Sequence, residues 1–145
     1  MEIKLKRVHT AKDLVISAIV LVAGIGLYFL HVGLGITVIV CGLLLLVFYK
    51  AGYKREGEDI VLHKAALDVS QSCRDSLKGY LEGKDVEPEV ETNINGGVIR
   101  LEAYYNADSA IAYAQLFDFS GYTYEPATEI VELRGSKAEK LICKL

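Results

Sequence analysis

Thirty-six consecutive residues, Leu14 to Tyr49, contain no Asp, Glu, Lys or Arg. As one α-helix that run would extend about 54 Å at 1.5 Å per residue, well past a hydrocarbon core of about 30 Å. Two helices of 17 or 18 residues with a very short turn use all of it. His31, Gly33 and Gly35 interrupt the run near its centre, and glycine supplies the positive φ that a tight turn needs. The pattern predicts a transmembrane helical hairpin over 14–49, with spans 14–31 and 33–49. Both spans are short, which suits a thin membrane or tight packing with little tilt.

Beyond residue 57 the pattern is that of a small globular domain. Leu62, Ala66, Val69, Cys73, Leu77 and Tyr80 recur at helical spacing, predicting an amphipathic helix over 62–82 that stops at Gly83. Its start is open, because Asp59–His63 reads equally as a short strand. Asn95-Gly96 is a hairpin signal. Ile99, Leu101, Ala103 and Tyr105 then alternate with Arg100, Glu102 and Tyr104. The strand from Ala110 to Phe119 is apolar on both faces, with Ala112, Ala114 and Leu116 on one and Ile111, Tyr113, Phe117 and Phe119 on the other. That fits a strand covered on both sides, or one covered by helices with its second face left for a partner. "TEIVELRG" gives a last strand, and "SKAEKLICKL" a helix with Ser136 as N-cap.

The expected fold is therefore a membrane protein: an N-terminal two-helix transmembrane hairpin followed by a small cytoplasmic α+β domain. That domain comprises a helix, an antiparallel sheet of three to five strands and a C-terminal helix. The expected segments are a basic cytoplasmic N-terminal segment (1–13), the hairpin (14–49), a juxtamembrane connector (50–57) and the α+β domain (58–145).

Charge sets the orientation. Residues 1–56 carry Lys4, Lys6, Arg7, Lys12, Lys50, Lys54 and Arg55 against three acidic residues, a net of +4. The remainder carries −7, giving −3 for the chain. Basic residues flank both outer ends of the hairpin and are missing from its turn. The positive-inside rule then places both termini in the cytoplasm and His31 at the outer face. A signal peptide is disfavoured, because the first span runs straight into a second without a small-residue cleavage site. The acidic domain argues against nucleic-acid binding, which relies on basic patches. The three cysteines, Cys41, Cys73 and Cys143, form no metal or disulfide spacing and fit a reducing compartment.

Two surfaces stand out. Small residues let helices approach closely in lipid. Gly33, Thr37 and Cys41 share one face of the second span, and Ser17 and Gly24 one face of the first. They predict packing within the hairpin or between copies of it. In the domain, Tyr113, Phe117, Phe119, Tyr122 and Tyr124 form an aromatic-rich stretch suited to a protein interface. A glycine turn there is expected to present Tyr122 and Tyr124 together.

Catalytic motifs are missing: the sequence holds no phosphate loop, HExxH or GxSxG. Glu87, Glu89 and Glu91 read as a solvated acidic edge. No catalytic, cofactor or metal site is predicted. The expectation is a non-enzymatic inner-membrane protein of a bacterial cell, multi-pass, whose partners are membrane lipid and an unidentified protein or a homo-oligomer. The alternative is an oligomeric membrane effector or channel subunit assembled through the hairpin.

Overall fold

The structure, a computed structural model, describes residues 3–92 and 99–145. The chain runs β1 (Leu5–Val8), α1 (Ala11–Leu30), α2 (Val32–Phe48), β2 (Gly52–Arg55) and β3 (Val61–Val69). A single 3-10 turn, Gln71–Cys73, leads into α3 (Arg74–Leu81). Then follow β4 (Ile99–Asn106), β5 (Ile111–Ser120), β6 (Thr123–Pro126), β7 (Val131–Arg134) and α4 (Ser136–Ile142).

Two apolar helices fill the uncharged run, α1 of 20 residues and α2 of 17. By length and composition α1 is able to cross a membrane; α2 is apolar too but shorter. They break at His31 alone. Its backbone is extended, its N–H closes α1 onto the Leu27 carbonyl at 2.7 Å, and its Nδ1 accepts from the Leu34 N–H at 3.4 Å to cap α2. The turn therefore does not use glycine's conformational freedom: Gly33 and Gly35 are both helical.

The hairpin is spliced into the sheet. β1 and β2, which flank it, pair antiparallel with Val8 opposite Gly52 and Leu5 opposite Arg55. Thus the basic N-terminal segment and the expected connector both contain sheet strands. Asp13 closes the junction. Its Oδ2 accepts from the Thr10 N–H at 3.0 Å and, across the hairpin, from the Ala51 N–H at 2.9 Å. The Asp13 N–H in turn donates to Thr10 Oγ1 at 3.3 Å, completing a capping box.

β2 passes its edge to the first two residues of β3, and β3 pairs with β4 along His63–Val69. The sheet continues through β5, whose far edge carries β7 on its first half and β6 on its second. Among the described residues it has seven strands, all antiparallel, against the three to five expected.

The predicted helix over 62–82 is instead a strand followed by a short helix. A spacing of four is shared by strands and helices, so Leu62 and Ala66 fall on one face either way. What favours strand is the partner: seven residues of β3 find register with β4. Only Cys73, Leu77 and Tyr80 lie on the helical stretch, and they pack with Val69 into the core. The stop at Gly83 is as read, with φ +87°. Before α4 the cap residue is Gly135, not Ser136, and no side chain caps that helix. The Asn95-Gly96 turn signal lies outside the described residues.

Helices α3 and α4 cover one sheet face. There Val69, Leu77, Ile99, Leu101, Ala114, Leu116, Ala138 and Leu141 are all but inaccessible to solvent. Among the described residues the second face is covered at one end, where Leu62, Ile111 and Tyr113 pack with Ile3, Leu5, Tyr53 and Tyr104. That explains the doubly apolar β5: its first half is buried on both sides and its second half is not.

Candidate interaction surface

Along the open half of the second face, charges pair across the strands. Lys64 faces Glu102 at 3.7 Å, and Arg100 Nε donates to Asp68 Oδ1 at 3.1 Å. Arg100 also lies over the Tyr124 ring, 4.1 Å from its centroid, while the Tyr124 hydroxyl donates to Asp68 at 3.4 Å. Phe119 packs on Tyr124 with ring centroids 5.1 Å apart. The strands place these groups side by side because Phe119 is opposite Tyr124 and Arg100 is opposite Phe117. Such cross-strand pairs are worth about 0.2–1 kcal/mol each. Phe117 and Tyr124 are half-buried and Phe119 is 42% exposed, so this face presents aromatic edges framed by paired charges.

The structure brings together Phe117, Phe119 and Tyr124 from the aromatic set and separates the other two. Tyr113 is fully buried and has no surface to offer a partner. Its hydroxyl accepts from Arg55 Nη1 at 3.2 Å and donates to Glu58 Oε2 at 3.2 Å. Burial pushes its pKa up, opposed by the Arg55 hydrogen bond. Arg55 also donates to Glu132 at 2.9 Å, Arg134 donates to Glu58 at 2.8 Å, and Arg134 pairs with Glu132. These five side chains bolt the β2–β3 turn onto β5 and β7. Sequence reasoning missed the cluster, since Arg55 and Glu132 lie far apart in the chain.

Tyr122 stands alone at the tip of the β5–β6 hairpin. Ser120 pairs with Thr123, and the two loop residues Gly121 and Tyr122 have φ of +57° and +69°. This is the geometry of a type I′ turn, where glycine and asparagine are the favoured residues. A tyrosine there is strained, and at 96% exposure it gains nothing from its own chain. Tyr122→Gly is therefore expected to stabilise the protein by about 0.5–1 kcal/mol, read as a higher melting temperature in detergent. A lower one would mean that the ring is held by contacts within the chain. Beside the tip, Arg74 grips Asp118 through two hydrogen bonds of 3.0 and 2.9 Å, which hold the Asp118 carboxyl below its ordinary pKa.

In the hairpin, Ser17 and Gly24 are buried, Gly24 against Ile39 of α2. Ser17 Oγ donates to the Asp13 carbonyl at 2.9 Å. On α2 the packing residues are Gly35 and Gly42, which sequence reasoning did not select. A Cβ at Gly35 would lie 2.3 Å from Tyr28 Cα, and one at Gly42 2.8 Å from Leu21 Cδ2. Gly33, Thr37 and Cys41 face outward, away from α1, and the Thr37 hydroxyl donates to the Gly33 carbonyl at 2.9 Å. They do not pack the hairpin. The signal for Gly35 and Gly42 was their spacing of seven, the same as that of Ser17 and Gly24. The spacing of four that singled out Gly33 pointed to the outward side of α2.

No family model, curated protein or solved structure matches the chain.

Proposed function

We propose that the chain is a non-enzymatic inner-membrane protein of a bacterial cell that presents a rigidly held cytoplasmic domain to a protein partner or a second copy. On this reading α1 and α2 cross the bilayer as a hairpin, with both termini cytoplasmic and His31 outside. The apolar side chains on the outer surfaces of both helices support it, Phe29 and Leu30 among them. So does the collar of Lys and Arg at the hairpin base. The carrying observation is the splice. Only His9 and Thr10 separate β1 from α1, and only Tyr49, Lys50 and Ala51 separate α2 from β2. Strand pairing and the Asp13 clasp leave no flexible tether, so the domain is held in one pose relative to the helices. A platform that aligns a partner with the membrane uses such rigidity.

The face carrying Phe117, Phe119, Tyr124 and Arg100 is the proposed partner surface. Crosslinking in native membranes tests it with tagged full-length protein and a Phe117→Ala/Tyr124→Ala variant. A crosslinked species of defined mass with the wild type, lost in the variant, is the expected result. The same species at equal yield from both would reject this face as the contact.

The alternative, an oligomeric effector or channel subunit, is favoured by one observation: Gly33, Thr37 and Cys41 face away from α1 and are free to meet another hairpin. Under that alternative, replacing Gly33 and Thr37 by Leu reduces oligomer size in detergent and ion flux in liposomes together. Background flux for the wild type at every oligomer size would eliminate it.

A further inference from the structure

We infer that the Gly121–Tyr122 turn is a second membrane contact, seating Tyr122 at the lipid headgroups on the cytoplasmic side. The inference rests on the proposal that α1 and α2 are membrane-embedded.

Strand direction carries it. β2 leads away from the hairpin base at Gly52, and β3 returns antiparallel, so the row of the sheet level with Gly52 continues through His63, Tyr105 and Ala112. From that row β3 and β5 run back toward the side on which the helices lie. β5 continues from Ala112 to Ser120, so the turn beyond it lies about 30 Å along the strand from that row at 3.3 Å per residue, in a direction that the sheet's twist of about 20–25° per strand swings sideways from the line of β2. The sheet does not run up beside the helices: Leu14, Val15, Ile16, Phe48 and Tyr49 at the hairpin base are exposed, and the two helices pack mainly on each other. Nor does it enter lipid, since its open face carries the Lys64–Glu102 and Asp68–Arg100 pairs. The arrangement that satisfies these constraints has the sheet leaning over the membrane surface, with the β5–β6 turn at its leading end.

The residue at that end fits the place. Tyrosine concentrates at membrane interfaces because its ring is apolar and its tip polar. Tyr122 occupies a backbone conformation that disfavours it and is 96% exposed. Ser120 before it and Thr123 and the exposed Glu125 after it set the depth at the headgroups rather than the acyl core. A weak contact suffices, because the hairpin already holds the turn near the surface.

The chain has no tryptophan, so single-tryptophan variants report position directly. Full-length Tyr122→Trp, Phe29→Trp and Ser109→Trp are each reconstituted into phosphatidylcholine–phosphatidylglycerol vesicles, with and without brominated acyl chains. Ser109 lies in the β4–β5 turn, at the opposite end of the sheet. For Tyr122→Trp the expected result is blue-shifted emission and a roughly twofold loss in brominated vesicles, as for an interfacial ring. Phe29→Trp is expected to be quenched more strongly and Ser109→Trp to stay unquenched. Phe29→Trp without quenching would overturn the membrane reading itself. Phe29→Trp quenched while Tyr122→Trp remains open to aqueous iodide would overturn only the second contact. Tyr122→Trp shielded from iodide but not quenched by bromine would assign the turn to an interface between copies. Equal quenching of Ser109→Trp and Tyr122→Trp would reject the directional argument.

Discussion

Gly35→Leu is expected to destabilise the protein by more than about 3 kcal/mol, the upper end of what overpacking costs. A Cβ at this position would sit 2.3 Å from Tyr28 Cα and 2.4 Å from Tyr28 N. Both are backbone atoms, so no rotamer change relieves the collision and the helices must move apart. Separation also strips Gly24 from Ile39, where a Cβ would come within 2.7 Å of the Cγ1 atom. With about 2–4 °C lost per kcal/mol for a chain of this size, the melting temperature in detergent should fall by roughly 10 °C. Gly26→Leu is the control. Nothing lies within 4 Å of a Cβ there, and leucine ranks just below alanine, which glycine trails by about 0.8–1 kcal/mol in helix propensity, so its melting temperature should hold or rise. Equal melting of Gly35→Leu and wild type would mean that α1 and α2 do not pack as a closed hairpin.

Asp13→Ala is expected to cost about 2–4 kcal/mol, from a lost helix cap together with backbone donors left without an acceptor. Asp13 is only 3% exposed, and one carboxylate oxygen serves both Thr10 N–H and Ala51 N–H. Water does not readily replace an acceptor at a site so enclosed. The loss is local in a way that stability alone does not reveal. Hydrogen exchange should quicken at Ala51 and along the β1–β2 pair, while amides of β4 and β5 keep their protection until global unfolding. Asp13→Asn retains a carbonyl oxygen and should recover most of the loss. Uniform acceleration across the whole sheet in Asp13→Ala would show that the clasp is not a separate unit. Unchanged exchange at Ala51 would show that the contact does not exist in solution.

These two positions show where sequence reasoning reached and where it stopped. The uncharged run announced two helices, but Asp13 sits just outside it and read as one charge among several in a basic flank. Its importance comes from Ala51, 38 residues away, and no local pattern links them. In the hairpin, Ser17 and Gly24, which the small-residue pattern singled out, are buried in the structure. For α2 the choice between Gly33 and Gly35 depends on how that helix is rotated about its axis. Both helices are apolar all round, so there is no polar face to fix the rotation, and only the meeting of the two surfaces decides it.

The aromatic stretch divides for a related reason. Alternation correctly sorted Tyr113, Phe117 and Phe119 onto one face of β5. Whether that face is covered depends on β2, β7 and the turn after Arg55, which reach Tyr113 but not Phe119. The type I′ turn was legible as a glycine turn, yet the strained φ at Tyr122 followed only from the two-residue loop between Ser120 and Thr123.

What the sequence determined by itself is whatever rests on composition and period over a long window: the two apolar helices, the charge asymmetry about them, the alternating β4 and β5, and the C-terminal helix. Each of those buries or exposes a whole face, and the repeat needed to do so is written locally. What only the tertiary structure decided are the four-residue strands β1 and β2, the strand character of Val61–Val69, the glycine pair at the helix contact and the burial of Tyr113. Four residues are too few to show a period, and a spacing of four suits strand and helix alike. These elements gain their stability from partners distant in the chain, so their identity resides in the pairing and not in the segments themselves.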